Sequence, residues 1–115
     1  MKLAIVGSRT FNNYDMLEKT IQNNFNVSDI SQIISGGARG ADTLGEVFAK
    51  KYNIPTTIYK PDWEKHGRKA GFIRNYDIIT SADAVIAFWD GKSPGTKHDI
   101  DIATGAKIPL IIQEF

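Results

Sequence analysis

The sequence predicts an α/β domain with a doubly wound sheet of about five mostly parallel strands and helices on both faces. Apolar segments of strand length alternate with amphipathic segments of helix length along the whole chain. The strand segments are continuously apolar, which is typical of parallel strands that are buried on both faces. Because the 115 residues contain no linker, repeat or low-complexity segment, we expect a single domain over residues 1–115.

In the first half of the chain, each apolar run is bounded by residues that favour turns. The predicted elements are a strand over 3–6, a helix over 14–25, a strand over 30–34, a helix over 40–52 and a strand over 56–59. Asp15, with Glu18 three residues later, resembles a capping box for the first helix. Pro55 is tolerable at the first residue of the third strand.

The second half begins with a polar loop over residues 60–69, which is longer than most connections in such folds. The elements after it are a helix over 70–79, a strand over 84–89, a loop over 90–96 that opens a helix reaching about residue 106, and a strand over 108–112. Phe72, Tyr76 and Ile79 form the predicted inward face of the helix over 70–79. We expect the strand order 3-2-1-4-5, with a ligand crevice between strands 1 and 4.

Composition excludes several classes of function. The chain has no cysteine, which excludes a disulfide scaffold, a thiol nucleophile and a thiolate metal site. The two histidines have no metal-site spacing, so we expect no metal. A net charge of +1 gives no broad basic field, and nucleic acid is therefore not the expected partner. The first apolar run is too short for a signal peptide or a membrane span, so we expect a cytoplasmic protein without a membrane partner.

The loop over residues 35–42 contains paired glycines between a strand and a helix. Such a turn leaves backbone N–H groups unpaired at the positive end of a helix dipole, and this geometry suits a phosphate. The loop is neither a Walker A motif nor a G-x-G-x-x-G fingerprint, so by itself it is equally consistent with a tight turn. The other loops decide between these interpretations.

If strands 1 to 4 are parallel, the loops that follow them meet at one edge of the sheet. All four arginines lie in these loops or in the first helical turns after them. Because arginine grips phosphate and carboxylate groups in a bidentate manner, we predict a site for a small anionic ligand at this edge. The predicted ligand-binding residues are Gly7, Ser8, Arg9, Gly36, Gly37, Ala38, Arg39, Asp42, Asp62, Trp63, Arg74, Asn75, Asp90, Ser93, Gly95 and Thr96.

Several side chains in these loops have two interpretations. Asp42 either bonds a ribose hydroxyl or caps the following helix. Trp63 either stacks on a base or packs against the protein, and packing is favoured for Trp89. His98 lies close to the proposed phosphate, whereas His66 is interpreted as a solvated loop histidine.

Taken together, the motifs resemble the YspA/YpsA-like branch of the SLOG superfamily over nearly the whole chain. The segments that carry the resemblance are 7–9, 35–42, 62–63, Gly67 with 70–71 and 74–75, 82–83, and 95–96. The resemblance implies a Rossmann-like fold and the binding of a nucleotide or a nucleotide derivative, such as ADP-ribose, NAD or a cyclic nucleotide. It implies no further cofactor. Relatives include phosphoribohydrolases of the LOG type, DprA DNA-binding proteins and sensor domains of bacterial defence systems.

The resemblance to the LOG enzymes is partial and leaves two functions open. Residues 93–99 keep the Gly-Thr of their catalytic loop but lack its double glycine, and Asp99 stands where those enzymes have glutamate. Arg74 corresponds to their upstream arginine, so Arg74 and Asp99 are the candidate catalytic residues. The first hypothesis is a sensor or sequestering protein, and the second is a hydrolase of nucleotide N-glycosidic bonds. The base, the number of phosphates and homo-oligomer formation stay open.

Overall fold

The computed structural model describes residues 1–115 and shows one parallel sheet in the order β3-β2-β1-β4-β5, as expected. The strands are β1 Lys2–Gly7, β2 Gln32–Ser35, β3 Thr56–Ile58, β4 Ala84–Trp89 and β5 Leu110–Glu114. The helices are α1 Tyr14–Asn24, α2 Ala41–Lys51, α3 Trp63–His66, α4 Ala70–Ser81 and α5 Pro94–Gly105. Short 3-10 turns occupy Val27–Asp29 and Gly67–Lys69. No helix has the length and apolar character needed to cross a bilayer.

Buried apolar side chains form two clusters, one on each face of the sheet. Alternate residues of β1 point to opposite faces, so Leu3 and Ile5 join one cluster while Ala4 and Val6 join the other. Side chains of α1 and α2 complete the first cluster, and side chains of α4 and α5 complete the second. The predicted doubly wound, Rossmann-like arrangement is therefore confirmed.

The start of α1 differs from the prediction. Asn13 caps this helix, because its Oδ1 atom accepts a hydrogen bond from the Met16 backbone N–H at 3.0 Å. The predicted capping box of Asp15 and Glu18 is therefore wrong. Asparagine is among the best N-cap residues, and here it precedes the aspartate by two positions.

The inward face of α4 also differs from the prediction. Ile79 is buried as expected, but Phe72 and Tyr76 are 60% and 58% exposed. Asn75 and Ile78 are buried instead. The helix is rotated by about one residue, or 100°, relative to its most apolar stripe, because Ile78 and Ile79 pack against the sheet and Asn75 faces the end of β1.

The segment over residues 60–69 is not a simple loop. It contains α3 and the 3-10 turn at Gly67–Lys69. Asp62 caps α3 by accepting a hydrogen bond from the Lys65 N–H at 3.1 Å. The segment consequently places Trp63 at a defined position beside the carboxyl ends of the strands.

Candidate functional site

The candidate site lies at the carboxyl ends of β1 and β4, where the winding of the sheet reverses. The two strand ends are joined closely: the Ser8 N–H donates to the Phe88 carbonyl at 2.9 Å, and the Asp90 N–H donates to Ser8 Oγ at 3.2 Å. A Cβ atom at Gly7 would lie 2.4 Å from the Phe88 carbonyl oxygen, so only glycine permits this approach.

A cavity of about 370 Å³, here called the inner cavity, opens at this point. Its lining comes from the end of β1 and the residues after it, from the loop between β2 and α2, from the start of α2, from α4 and from the first two turns of α5. The lining residues are Val6, Gly7, Ser8, Arg9, Thr10, Ala38, Asp42, Arg74, Asn75, Ile78, Ser93, Pro94, Gly95, Thr96 and Asp99. Loops that are distant in sequence therefore meet in one polar space, and the size is within the range of small-ligand sites.

A second cavity of about 720 Å³, here called the outer cavity, adjoins the first. The two share six lining residues, namely Arg9, Ala38, Arg74, Asn75, Pro94 and Gly95. The outer cavity is lined in addition by Gly36, Gly37, Lys60, Pro61, Trp63, Arg68, Gly71 and Phe72. A ligand longer than one sugar phosphate can therefore extend from the inner cavity toward the surface.

The first turn of α5 faces the inner cavity, and no N-cap side chain accepts a hydrogen bond from its backbone N–H groups. Pro94 begins the helix, and Ser93 makes no capping hydrogen bond with its side chain. The preceding turn is held by Asp90, whose Oδ1 accepts from the Ser93 and Lys92 N–H groups at 2.7 and 2.8 Å. These backbone bonds lower the pKa of Asp90 to about 2. The start of α5 thus has the properties of an anion site.

The glycine loop after β2 behaves differently from the prediction. Two of its N–H groups are already used, because Gly37 donates to Ser35 Oγ and Ala38 donates to Asp42 Oδ2, each at 3.2 Å. The expectation that these groups are unpaired is therefore wrong. Gly36 has another role: a Cβ atom there would lie 2.6 Å from Arg74 Nη1, so the glycine admits the guanidinium against the backbone.

Arg74 connects the glycine loop to α4 and α5. Its Nη1 donates to the Gly36 carbonyl at 2.8 Å, and its Nε donates to Asn75 Oδ1 at 3.1 Å. The Asn75 amide nitrogen lies in turn 3.2 Å from His98 Nδ1. These contacts hold the guanidinium between the two cavities, at a position that both of them share.

Two buried carboxyl groups line the inner cavity and have different pKa values. Burial raises the pKa of Asp42 to about 6, although the Ala38 N–H and Arg74 oppose this shift. Burial, together with repulsion from Asp42, raises the pKa of Asp99 to about 8. Asp99 is only 6% exposed, and its Oδ1 has no hydrogen-bond partner. Near neutral pH, Asp99 therefore carries a proton that it can donate, whereas Asp42 is mainly ionised.

Most of the predicted site residues come together in the two cavities. Those in the inner cavity are Gly7, Ser8, Arg9, Ala38, Asp42, Arg74, Asn75, Ser93, Gly95, Thr96 and Asp99, and those only in the outer cavity are Gly36, Gly37 and Trp63. Arg39, Asp62 and Asp90 line neither cavity. Asp62 and Asp90 hold backbone turns, and Arg39 is exposed. Ligand binding by any of these residues stays a prediction.

Sequence reasoning missed several lining residues. Thr10, Ile78 and Pro94 line the inner cavity, and Lys60 and Phe72 line the outer one. The position of Lys60 in the polar segment after β3 was a usable signal, as was the occurrence of Pro94 next to Gly95. Phe72 was missed because its apolar character suggested the core. No group of three or more histidine or acidic side chains is arranged to hold a metal ion.

A family model described as "YspA, cpYpsA-related SLOG family" matches residues 1–66. The chain belongs to this family. The "Gene 61 protein" of Mycobacterium phage D29 is 32% identical over 117 residues, covering 96% of this chain and 94% of that protein. No solved structure gives a significant match. Membership suggests binding or processing of a nucleotide-related ligand. The matched segment includes the glycine loop, whereas Arg74 and Asp99 lie beyond it.

Proposed function

We propose that the protein binds a nucleotide or a nucleotide-derived signal, such as ADP-ribose, NAD or a cyclic nucleotide, and acts as a sensor or sequestering protein. The observation that carries the proposal is the convergence of α5, Arg9 and Arg74 on one cavity that also contains the unpartnered Asp99 carboxyl. This donor set suits a phosphate with an attached sugar.

Electrostatics supports an anionic group in the inner cavity. The α5 dipole and the guanidinium of Arg74 both favour negative charge there. Asp99 adds no charge near neutral pH, because burial raises its pKa to about 8. As a protonated acid it can instead donate a hydrogen bond to a phosphate or ribose oxygen. Of the two carboxyl groups in the cavity, only Asp42 opposes the anion by its charge.

The test is isothermal titration of the full chain with AMP, ADP-ribose, NAD and cyclic AMP. The informative variant is Gly95→Asp, because a Cβ atom added at Gly95 meets no atom within 4 Å. An aspartate in the first turn favours the helix but places a negative charge where the phosphate is proposed. Lys92→Gln is the control, since it changes net charge by the same amount on an exposed residue that lines neither cavity.

We expect at least one of these nucleotides to bind the wild-type chain and the Lys92→Gln control with similar affinity. The affinity of the same nucleotide for Gly95→Asp should be lower by at least about 10-fold. Thermal denaturation checks that Gly95→Asp is folded. Failure of all four compounds to bind the wild-type chain, or equal binding to Gly95→Asp, contradicts the proposal.

Hydrolysis of a nucleotide N-glycosidic bond is the second candidate, and the unpartnered Asp99 Oδ1 favours it. In this reaction Arg74 holds the phosphate, water attacks C1′ of the ribose, and the bond to the base breaks. The base leaves with the bonding electron pair and takes up the proton of Asp99, whose raised pKa suits a general acid. The attacking water then loses a proton to the Asp99 carboxylate, which restores the acid. Product analysis by chromatography is the test: Asp99→Asn should retain AMP binding and lose release of adenine. Absence of adenine release from the wild-type protein excludes this candidate.

A further inference from the structure

The inner and outer cavities differ in their aromatic content. None of the residues that line the inner cavity is aromatic, so a nucleobase has no ring to stack on there. Trp63 and Phe72 both line the outer cavity, and each is 60% exposed. Large apolar rings exposed at the mouth of a polar cavity are typical of ligand-binding sites.

Both exposed rings lie next to defined neighbours. Trp63 lies in the first turn of α3, which Asp62 caps. The edge of its indole lies over Gly71, where a Cβ atom would be 3.8 Å from Trp63 Cη2. Phe72 contacts the His98 ring edge-on, with 4.8 Å between the ring centres. The outer cavity therefore presents two ring surfaces that a planar group can cover.

The charges around these rings have one sign. Arg9, Lys60, Arg68 and Arg74 line the outer cavity, and no carboxylate does. A ligand that fits this surface is planar and aromatic in one part and anionic in another. A nucleobase joined through its ribose to phosphate has this combination, and it is the pattern by which proteins bind unpaired nucleotides.

We propose that the outer cavity is a nucleobase subsite in which the base stacks on Trp63 and Phe72 while the phosphate occupies the inner cavity. This inference rests on the proposed function and deepens it, because it assigns an orientation to the ligand. The ribose then lies between the two cavities, near Asn75, which lines both of them. In this orientation the residues of the outer cavity select the base, and the residues of the inner cavity bind the phosphate.

The test is titration of the full chain with AMP and with ribose 5-phosphate, which lacks the base. The variants are Trp63→Ala and Phe72→Ala. Tyr76→Ala is the matched control, because Tyr76 is 58% exposed on the same helix as Phe72 but lines neither cavity. Tryptophan fluorescence during the AMP titration gives a second readout, because a base that stacks on Trp63 quenches its emission. The wild-type chain and Phe72→Ala should show this quenching, and Trp63→Phe should lose it.

We expect Trp63→Ala and Phe72→Ala each to weaken AMP binding by about 5-fold to 100-fold, the range observed for base stacking on an aromatic ring. Ribose 5-phosphate binding should stay within about 2-fold of the wild-type value, and Tyr76→Ala should match the wild-type chain for both compounds. Melting temperatures of all three variants should be close to that of the wild-type chain, because the rings are exposed.

Other outcomes separate the two proposals. If AMP binds the wild-type chain and both alanine variants equally, the base does not stack on these rings, and the subsite is wrong while the proposed function stands. If the variants lose affinity for ribose 5-phosphate as much as for AMP, the rings support the cavity rather than the base, which also overturns the subsite. If AMP does not bind, the same titrations are made with whichever of ADP-ribose, NAD and cyclic AMP binds the wild-type chain, and equal affinity for both alanine variants again overturns the subsite. If none of the four nucleotides binds the wild-type chain, both proposals are wrong.

Discussion

The inner and outer cavities meet at Arg74 but are built in different ways. The inner cavity is enclosed by backbone segments in close contact and contains two buried carboxyl groups. The outer cavity is bordered by exposed rings on α3 and α4 and by cations that lie mostly in the connecting segments. Substitutions around the inner cavity should therefore affect both folding and binding, whereas those around the outer cavity should affect binding alone. The following predictions test this difference, from the largest expected effect to the smallest.

Gly40→Ala should destabilise the fold by about 3 to 5 kcal/mol. Gly40 has a φ of 78°, and a Cβ atom there would lie 2.3 Å from the Ser8 carbonyl oxygen beside the inner cavity. Gly67→Ala is the control next to α3: its φ is 57°, but no atom lies within 4 Å of the added Cβ, so a loss of only about 1 to 2 kcal/mol is expected. Urea denaturation measures both. Equal losses in the free energy of unfolding would show that the backbone around Gly40 adjusts to a Cβ atom as easily as the backbone around Gly67, and would contradict the prediction.

Arg74→Gln should lower the affinity for AMP by about 10-fold to 100-fold, because it removes a charged donor that both cavities share. Arg39→Gln removes the same charge from an exposed residue that lines neither cavity, and a much smaller effect is expected. Titration calorimetry compares the two variants. An equal loss for Arg39→Gln would favour the sequence prediction for Arg39 over the cavity geometry.

Asp99 should make the folded protein less stable as the pH rises. The folded-state pKa is raised from 3.8 to about 8, so the native carboxyl holds its proton where the unfolded one has lost it. Stability is then greatest below the unfolded pKa and falls as pH rises to about 8. Between about pH 6 and 8 the loss should be about 2 kcal/mol, and Asp99→Asn should abolish it. Urea denaturation at several pH values compares the slopes, and parallel curves for both proteins would contradict the prediction.

Arg68→Gln should have the smallest effect. It removes an exposed cation from the outer cavity and should weaken AMP binding by about 2-fold to 5-fold. The effect should decrease at high salt, because exposed charges are screened. Lys65→Gln on the neighbouring α3 is the control, since Lys65 lines neither cavity. A salt-independent loss for Arg68→Gln would indicate a buried contact instead.

Sequence reasoning succeeded where the signal is local. The continuous apolar runs predicted five strands, and the alternation with helices predicted their parallel order, because right-handed crossovers leave few alternatives. The carboxyl-edge loops followed from that order, and most of their predicted residues line the two cavities. The family resemblance, carried by the same loops, was confirmed.

Sequence reasoning failed in two places. Free N–H groups were predicted for the glycine loop, but those of Gly37 and Ala38 donate to the side chains of Ser35 and Asp42 in the same loop, and the glycine pattern alone does not show which neighbouring side chain turns back onto the backbone. The inward face predicted for α4 was wrong at Phe72 and Tyr76, because the elements packed against a helix, and not its apolar content alone, decide how it is rotated.

The amino-acid sequence by itself determined the strand order and the position of the polar loops, because hydrophobic periodicity and turn residues act over a few neighbouring positions. Tertiary structure alone decided that Asp99 is buried without a partner and that aromatic rings border only the outer cavity. The reason is physical: desolvation and enclosure depend on atoms from every element around a side chain, and those elements are distant in sequence.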